Sequence, residues 1–234
     1  MSISTIPKDE GTKPPIIAAI DQAGRLNLVG SVVVAGISFE PDKVKELKEL
    51  NLNNVTEEQL PEMFMEVVGR AWHFHILYIK PEWISQSTQQ YNMYHMEAQA
   101  ITKIAWIVKV PESWKRRTTF KLNDYEPNAR LFERIKAVPM PENLFDEKKY
   151  EWIVENGAHL KHATVAAANV LARYHLQVEN NILKAMHGDF GSGRLDDPNT
   201  IKWVKENMDN ELIRTNWKKY HEIKKEIEDA KKEE

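Results

Sequence analysis

Residues 16–37 read IIAAIDQAGRLNLVGSVVVAGI, which is two apolar runs joined by a short polar connection. Runs rich in β-branched residues and joined by a Gly-Arg turn are typical of adjacent antiparallel strands. The connection carries Asp21, Gln22 and Arg25, and we expect it to expose all three side chains. The segment therefore predicts a strand pair that presents one carboxylate at a turn.

Alternation and helical spacing predict further elements. The stretch AWHFHILYIK alternates as a strand does and ends at Pro81, and TTFKLND at 118–124 is another strand candidate. Helical spacing is found over residues 41–70 with a break near 51–56, from about Gln90 onwards, over 127–137 and within 155–186. Strands and helices therefore alternate along the chain.

A small-residue face marks the longest helical block. Ala166–Ala168 and Ala172 lie within 155–186, where no proline interrupts the pattern, and they allow a helix to approach another element closely. A glycine-rich loop, GDFGSG, comes next and precedes a helix that Asp196 or Asp197 caps, with Pro198 in its first turn. After it, residues 217–234 carry Lys and Glu at helical spacing and predict a solvated helix.

Length and composition indicate one globular domain. A chain of 234 residues with 42% hydrophobic content can bury one sizeable core. We expect a flexible N-terminal segment over 1–15, a domain over 16–217, and a charged C-terminal helix or tail over 218–234. No run approaches the roughly 20 apolar residues that span a bilayer, and residues 1–15 lack the apolar centre of a secretion signal. We therefore expect no membrane insertion and a cytoplasmic or other intracellular location.

Charge and residue types limit the possible chemistry. The chain has no cysteine, which excludes disulfides and thiolate metal sites, so a metal would need Asp, Glu, His or carbonyl ligands. A net charge of −3 gives no overall attraction to nucleic acid, which would need a local basic patch such as Lys115–Arg117. His73 and His75 share a strand face, a common zinc geometry, although packing beside neighbouring aromatic rings is the favoured interpretation.

Three motifs occur in a fixed order: DQAGRL, VAAANVLAR, and GSGRLDDPNTIKWVKEN followed by IRTNWK. Together they resemble the type 2 ribonuclease H family over about residues 16–217, where the opening pattern is DEAGRG. The resemblance implies an α/β fold, an RNase H-like mixed β-sheet flanked by helices with a helical C-terminal part. It also implies an RNA–DNA hybrid as the substrate.

The family uses four acids to hold two divalent metals that activate water and stabilise the leaving oxygen. By the resemblance, Asp21 matches the first acid, whereas Gln22, Asn123 and His159 stand at the other three positions. Asp124 follows Asn123 directly, but successive strand residues point to opposite faces, so it would replace Asn123 only after a register change. The set retains one matching carboxylate.

The resemblance also implies a nucleic-acid-binding turn formed by Gly24, Arg25 and Leu26, together with Arg194. Leu26 stands where the family has a glycine that allows the backbone to approach the 2′-hydroxyl of RNA. Arg194 stands at the position of a tyrosine that reads the junction, and an arginine there could bind phosphate. Substrate recognition is therefore altered along with the metal ligands.

Two hypotheses follow. The first is a pseudoenzyme that keeps the scaffold, needs no cofactor, and binds an unidentified protein or an RNA–DNA hybrid, the latter through Arg25, Lys115–Arg117, Lys161 and Arg194. The second is an active ribonuclease H with Mn²⁺ or Mg²⁺, or a rebuilt site in which Asp21, Asp124 and His159 hold one transition metal such as Mn²⁺ or Zn²⁺. The second hypothesis predicts that these three side chains converge.

Overall fold

A computed structural model describes residues 13–88, 91–126 and 130–233, which contain a five-stranded mixed sheet. The sheet order is β3-β2-β1-β4-β5; β1 pairs antiparallel with β2 and parallel with β4. The strands are β1 (Ile16–Ala23), β2 (Val32–Phe39), β3 (His73–Ile79), β4 (Thr118–Asn123) and β5 (Tyr150–Glu155). The predicted mixed α/β fold is confirmed, and the apolar runs at 16–37 form the antiparallel pair that their pattern indicates.

The described residues contain nine α-helices. They are α1 (Pro41–Leu47), α2 (Leu60–Val68), α3 (Pro81–Ser85), α4 (Met93–Val108), α5 (Leu131–Lys136), α6 (Ala158–Lys161), α7 (Ala163–His187), α8 (Pro198–Glu206) and α9 (Lys218–Glu233). Asn92 caps α4, because its side chain accepts a hydrogen bond from the Tyr94 amide, and Asp197 caps α8 with Pro198 in the first turn. The predicted helix start near Gln90 and the first residues of the predicted helix at 127–137 lie outside the described residues.

The sheet separates two apolar layers. Ala18 and Ile20 of β1 pack on the α4 side, whereas Ala19 and Ala23 pack on the α7 side. Side chains alternate along a strand, so Asp21 points to the α7 side and Gln22 to the α4 side. The small-residue face of α7 is buried against the sheet, as its sequence predicts.

The C-terminal part packs as a third apolar cluster. Leu28 and Val29, from the segment between β1 and β2, are fully buried in it together with residues of α8 and α9. The predicted solvated helix at the C-terminus is α9, and its Ile223 is fully buried in this cluster. One face of α9 is therefore part of the core. Of the helices described in residues 13–88, 91–126 and 130–233, none is both long and apolar enough to span a membrane.

Candidate functional site

Asp21 lies inside β1 and is only 3% exposed. The prediction that the connection exposes it is wrong, because β1 runs on to Ala23 and pairs Asp21 with Ala35 of β2 while α7 covers its face. One carboxylate oxygen accepts a hydrogen bond from the Gln22 amide at 2.9 Å, and the other accepts one from the Asn169 side chain at 3.2 Å. Burial raises the pKa of Asp21 to about 7, although these hydrogen bonds and Asn123 oppose the shift.

Amide side chains surround this carboxylate. Asn123 ends β4 on the same side of the sheet as Asp21, and its oxygen accepts a hydrogen bond from the Ala158 amide at 3.2 Å. Asn169 of α7 donates the other hydrogen bond to Asp21. This residue was not identified from the sequence, although it is the polar residue that ends the AAAN run. The structure therefore brings together Asp21, Asn123 and Asn169. The neighbours of the carboxylate are neutral amides, which do not repel its negative charge as further acids would.

Gln22 and Arg25 point to the opposite face and meet Glu97 of α4. The Arg25 guanidinium lies 3.0 Å from a Glu97 oxygen, and Glu97 is fully buried. Burial raises the pKa of Glu97 to about 7 against the opposing charge of Arg25 and a hydrogen bond from Gln22. The Gln22 side-chain oxygen is buried and has no hydrogen-bond partner among the described residues.

Two tyrosines flank Arg25. Its guanidinium carbon lies 4.7 Å from the ring centre of Tyr94 and 5.1 Å from that of Tyr125, both within cation–π range. The arginine that the resemblance assigns to nucleic acid is thus held by two rings and the buried carboxylate of Glu97. Sequence reasoning missed Glu97, whose partner lies 72 positions away in the chain.

The turn after β1 is joined to the glycine-rich loop. Gly24 has φ +79°, and a Cβ there would lie 2.8 Å from the Ser31 carbonyl oxygen, so the position requires glycine. Leu26 is 48% exposed, and its carbonyl oxygen accepts a hydrogen bond from the Leu195 amide at 3.1 Å. Arg194 is therefore close to the turn, as the resemblance implies, but it forms a two-point ion pair with Asp196 at 3.0 and 3.1 Å.

Arg214 binds the backbone of the same turn. It is fully buried and donates hydrogen bonds to the carbonyl oxygens of Gly30 at 2.8 Å and Arg25 at 3.3 Å. Burial lowers the pKa of Arg214 to about 9, although the charges of Glu179 and Glu97 oppose the shift. This residue lies in the IRTNWK motif, so its position is a structural explanation for that motif.

The remaining candidate ligands are not arranged as a metal centre. Asp124 accepts a hydrogen bond from the Glu126 amide at 3.0 Å, a local turn contact. His159 is half-buried on α6, and its Nδ1 has no partner in the described part of the chain. Within residues 13–88, 91–126 and 130–233, no three His, Asp or Glu side chains are placed to hold a metal ion, so Asp21, Asp124 and His159 do not converge and the pair His73 and His75 has no third ligand.

The donor set does not fit two Mg²⁺ ions. At the four positions that the resemblance matches to the family acids stand one carboxylate, two amides and one imidazole, and the amide oxygen of Asn123 already accepts a hydrogen bond from the backbone of α6. Hard divalent ions need several oxygen ligands, and clustered carboxylates offset their charge. A single buried carboxylate with a pKa of about 7 supplies at most one negative charge. No catalytic step through a metal pair can be derived from these residues.

Two of the other basic residues considered for nucleic acid form ion pairs with glutamates. Arg116 pairs with Glu40 at 2.8 Å near the start of β4, at the opposite end of that strand from Asn123. Lys161 pairs with Glu155 at 2.8 Å. Arg117 comes directly before β4, six residues from Asn123, so the Lys115–Arg117 triplet lies about 20 Å or more from Asn123, at roughly 3.3 Å per strand residue.

Comparisons with known proteins agree with this architecture. The family model described as Ribonuclease HII matches residues 18–220. A Ribonuclease HII of Sulfurisphaera tokodaii is 26% identical over 220 residues, which cover 89% of this chain and 95% of that protein. The crystal structure of ribonuclease H2 from Pyrococcus horikoshii OT3 matches with a TM-score of 0.76 and 21% identity over 91% of this chain and 99% of that one. RNase HII in its complex with PCNA from Archaeoglobus fulgidus matches with a TM-score of 0.68 and 23% identity over 87% and 95%.

Proposed function

Since the chain belongs to the ribonuclease HII family, we propose that it keeps the family scaffold, has lost metal-dependent cleavage of RNA–DNA hybrids, and acts by binding a partner. The environment of Asp21 carries this proposal. In the family's chemistry, as the resemblance implies, four acids hold two metal ions, whereas here the matching carboxylate is buried beside the Gln22 backbone amide and the side chains of Asn123 and Asn169. The neutral amides stabilise the site without a cation.

The ion pairs of the basic residues favour a protein as the partner. Arg25 is held by Glu97 and two tyrosine rings, so binding a phosphate would require breaking a partly buried ion pair. Three further basic side chains that could contact phosphate also form ion pairs with carboxylates. They are Arg116, Lys161 and Arg194. A net charge of −3 adds no long-range attraction to nucleic acid.

Cleavage of a labelled RNA–DNA hybrid and of a duplex with a single ribonucleotide tests the loss of catalysis. Wild-type protein and Asp21→Ala are assayed with Mg²⁺, Mn²⁺ and Zn²⁺, and we expect no cleavage by either protein. Cleavage by the wild type that Asp21→Ala abolishes would overturn the proposal and establish a rebuilt metal site. Anisotropy of the same duplexes without metal measures nucleic-acid binding separately from cleavage.

A variant with restored carboxylates provides a positive control for metal binding, against which the expected lack of cleavage by the wild type can be judged. The double variant Asn123→Asp/His159→Asp returns carboxylates to two of the positions that the resemblance matches to family acids, and it leaves Gln22, whose side chain points to the opposite face, unchanged. We expect Mn²⁺ to raise the melting temperature of this variant and to leave that of the wild type unchanged, because only the variant has the charge to hold the ion. An equal Mn²⁺ effect on both proteins would contradict the proposed loss of the metal site.

A further inference from the structure

Strand β3 forms one edge of the sheet. It pairs with β2 along its whole length, and no strand in the described residues pairs with its other side. Proteins usually protect such an edge with lysine, proline, a bulge or a covering element, because its free backbone groups can pair with another strand. The sequence of β3, HFHILYI, contains neither lysine nor proline. The edge therefore lacks the common side-chain protection against strand addition.

A groove runs beside this edge. A cavity of about 480 Å³ lies between β3, α3 and α4, and its lining includes Leu77 and Ile79 of the strand. Trp83 and Tyr91 line it as well and are 50% and 41% exposed. Exposed tryptophan and tyrosine contribute strongly to protein interfaces, and a clustered apolar surface on a folded protein marks an interaction site.

Lys103 of α4 gives the groove a positive charge. It lines the cavity, and no carboxylate of a described residue lies within ion-pair distance of it. Burial and the charges of His73 and Lys103 lower the pKa of His75, which disfavours a second positive charge beside Lys103. Pairing of β3 with β3 of a second copy would place a second Lys103 in the same interface. An acidic side chain on a different partner complements the groove better.

We propose that the β3 edge binds an extended, acidic segment of a partner protein, which adds to the sheet as a sixth strand. Backbone hydrogen bonds to β3 supply affinity, apolar side chains of the segment pack on Trp83 and Tyr91, and a carboxylate faces Lys103. The groove shares no lining residue with the Asp21 site, so this binding does not depend on whether that site cleaves RNA.

Selection from a random linear 12-residue peptide library on the full chain tests the proposal. We expect enriched peptides to alternate apolar residues with at least one Asp or Glu, and a synthetic copy to bind in an anisotropy titration. Lys103→Glu and Trp83→Ala should each weaken binding at least tenfold. The matched controls Lys202→Glu and Met186→Ala change exposed residues on α8 and α7 and should stay within twofold.

Hydrogen exchange separates strand addition from other binding modes. The bound peptide should slow amide exchange at least tenfold within residues 73–79. No enriched peptide, equal binding by Lys103→Glu and wild type, or protection confined to other residues would overturn the proposal. A concentration-dependent dimer, or peptide binding that requires removal of residues 1–12, would assign the edge to a second copy or to the chain itself and would also overturn it. Melting curves confirm that each variant is folded.

Discussion

Replacing Asp21 with asparagine should stabilise the protein at pH 8 and have little effect at pH 4. Burial raises the pKa of Asp21 from 3.8 to about 7, so the native state keeps this proton over a range in which the unfolded chain has lost it. The unfolded state then binds fewer protons, and the free energy of unfolding falls as the pH rises from about 4 to about 7. Asparagine has nearly the same shape and does not titrate, so it removes this loss.

The size of the effect follows from the same shift. The difference between 3.8 and about 7, at about 1.4 kcal/mol per pH unit, gives roughly 4 kcal/mol at pH 8. Solvent screening reduces this little, because Asp21 is only 3% exposed. The new amide can accept the Gln22 hydrogen bond, and Asn169 can rotate to present its oxygen to the new NH₂ group.

Urea unfolding of wild type and Asp21→Asn at pH 4, 6 and 8 measures this difference. Glu97 also titrates near pH 7, but it is present in both proteins and cancels. The control Asp189→Asn removes an exposed carboxylate whose pKa the Gly191 amide and Lys184 lower, so its pH dependence has the opposite sign. A stability difference between Asp21→Asn and wild type that is constant from pH 4 to pH 8 would refute the reasoning.

Three further substitutions test the packing and the site. Arg214→Met should cost about 2–4 kcal/mol of unfolding free energy in urea titrations, because it leaves buried carbonyl oxygens without donors; an unchanged midpoint would contradict this. Gly36→Ala should destabilise by about 1–3 kcal/mol, since its Cβ would lie 2.0 Å from Ile104 Cγ2, and the melting temperature should fall accordingly. Asn169→Ala should raise the pKa of Asp21 further, as followed by carboxyl-carbon NMR titration, because it removes a hydrogen bond that favours the ionised form; a lower pKa would exclude that contact.

Local pattern was sufficient for most of the sheet. Apolar runs predict β1 and β2, alternation up to Pro81 predicts β3, and the β-branched and aromatic residues of TTFKLN predict β4. The strand β5 was missed. Its six residues pair in parallel with β4, and so short a segment before a helical block has no distinctive periodicity.

The surroundings of the candidate site were less predictable. The position of Asp21 followed from the motif, but its burial depends on α7, whose Asn169 is 148 positions away. The pair of Arg25 with Glu97 likewise depends on how α4 packs on the sheet. Contacts of this kind arise from tertiary packing, which spacing along one chain does not encode. The sequence shows that Gln22, Asn123 and His159 stand at positions where the resemblance implies acids. It does not show the hydrogen-bond partners of these side chains.

The turn that follows β1 is anchored by residues near the other end of the chain. Arg214 reaches the carbonyl oxygens of Gly30 and Arg25 across 184 and 189 positions, and the Gly193 carbonyl accepts from Leu28 at 2.7 Å. During synthesis on the ribosome, the strands on either side of the turn emerge long before these anchors exist. The turn can therefore reach its final conformation only after residue 214 has been made, so it forms much later than the strands on either side of it emerge.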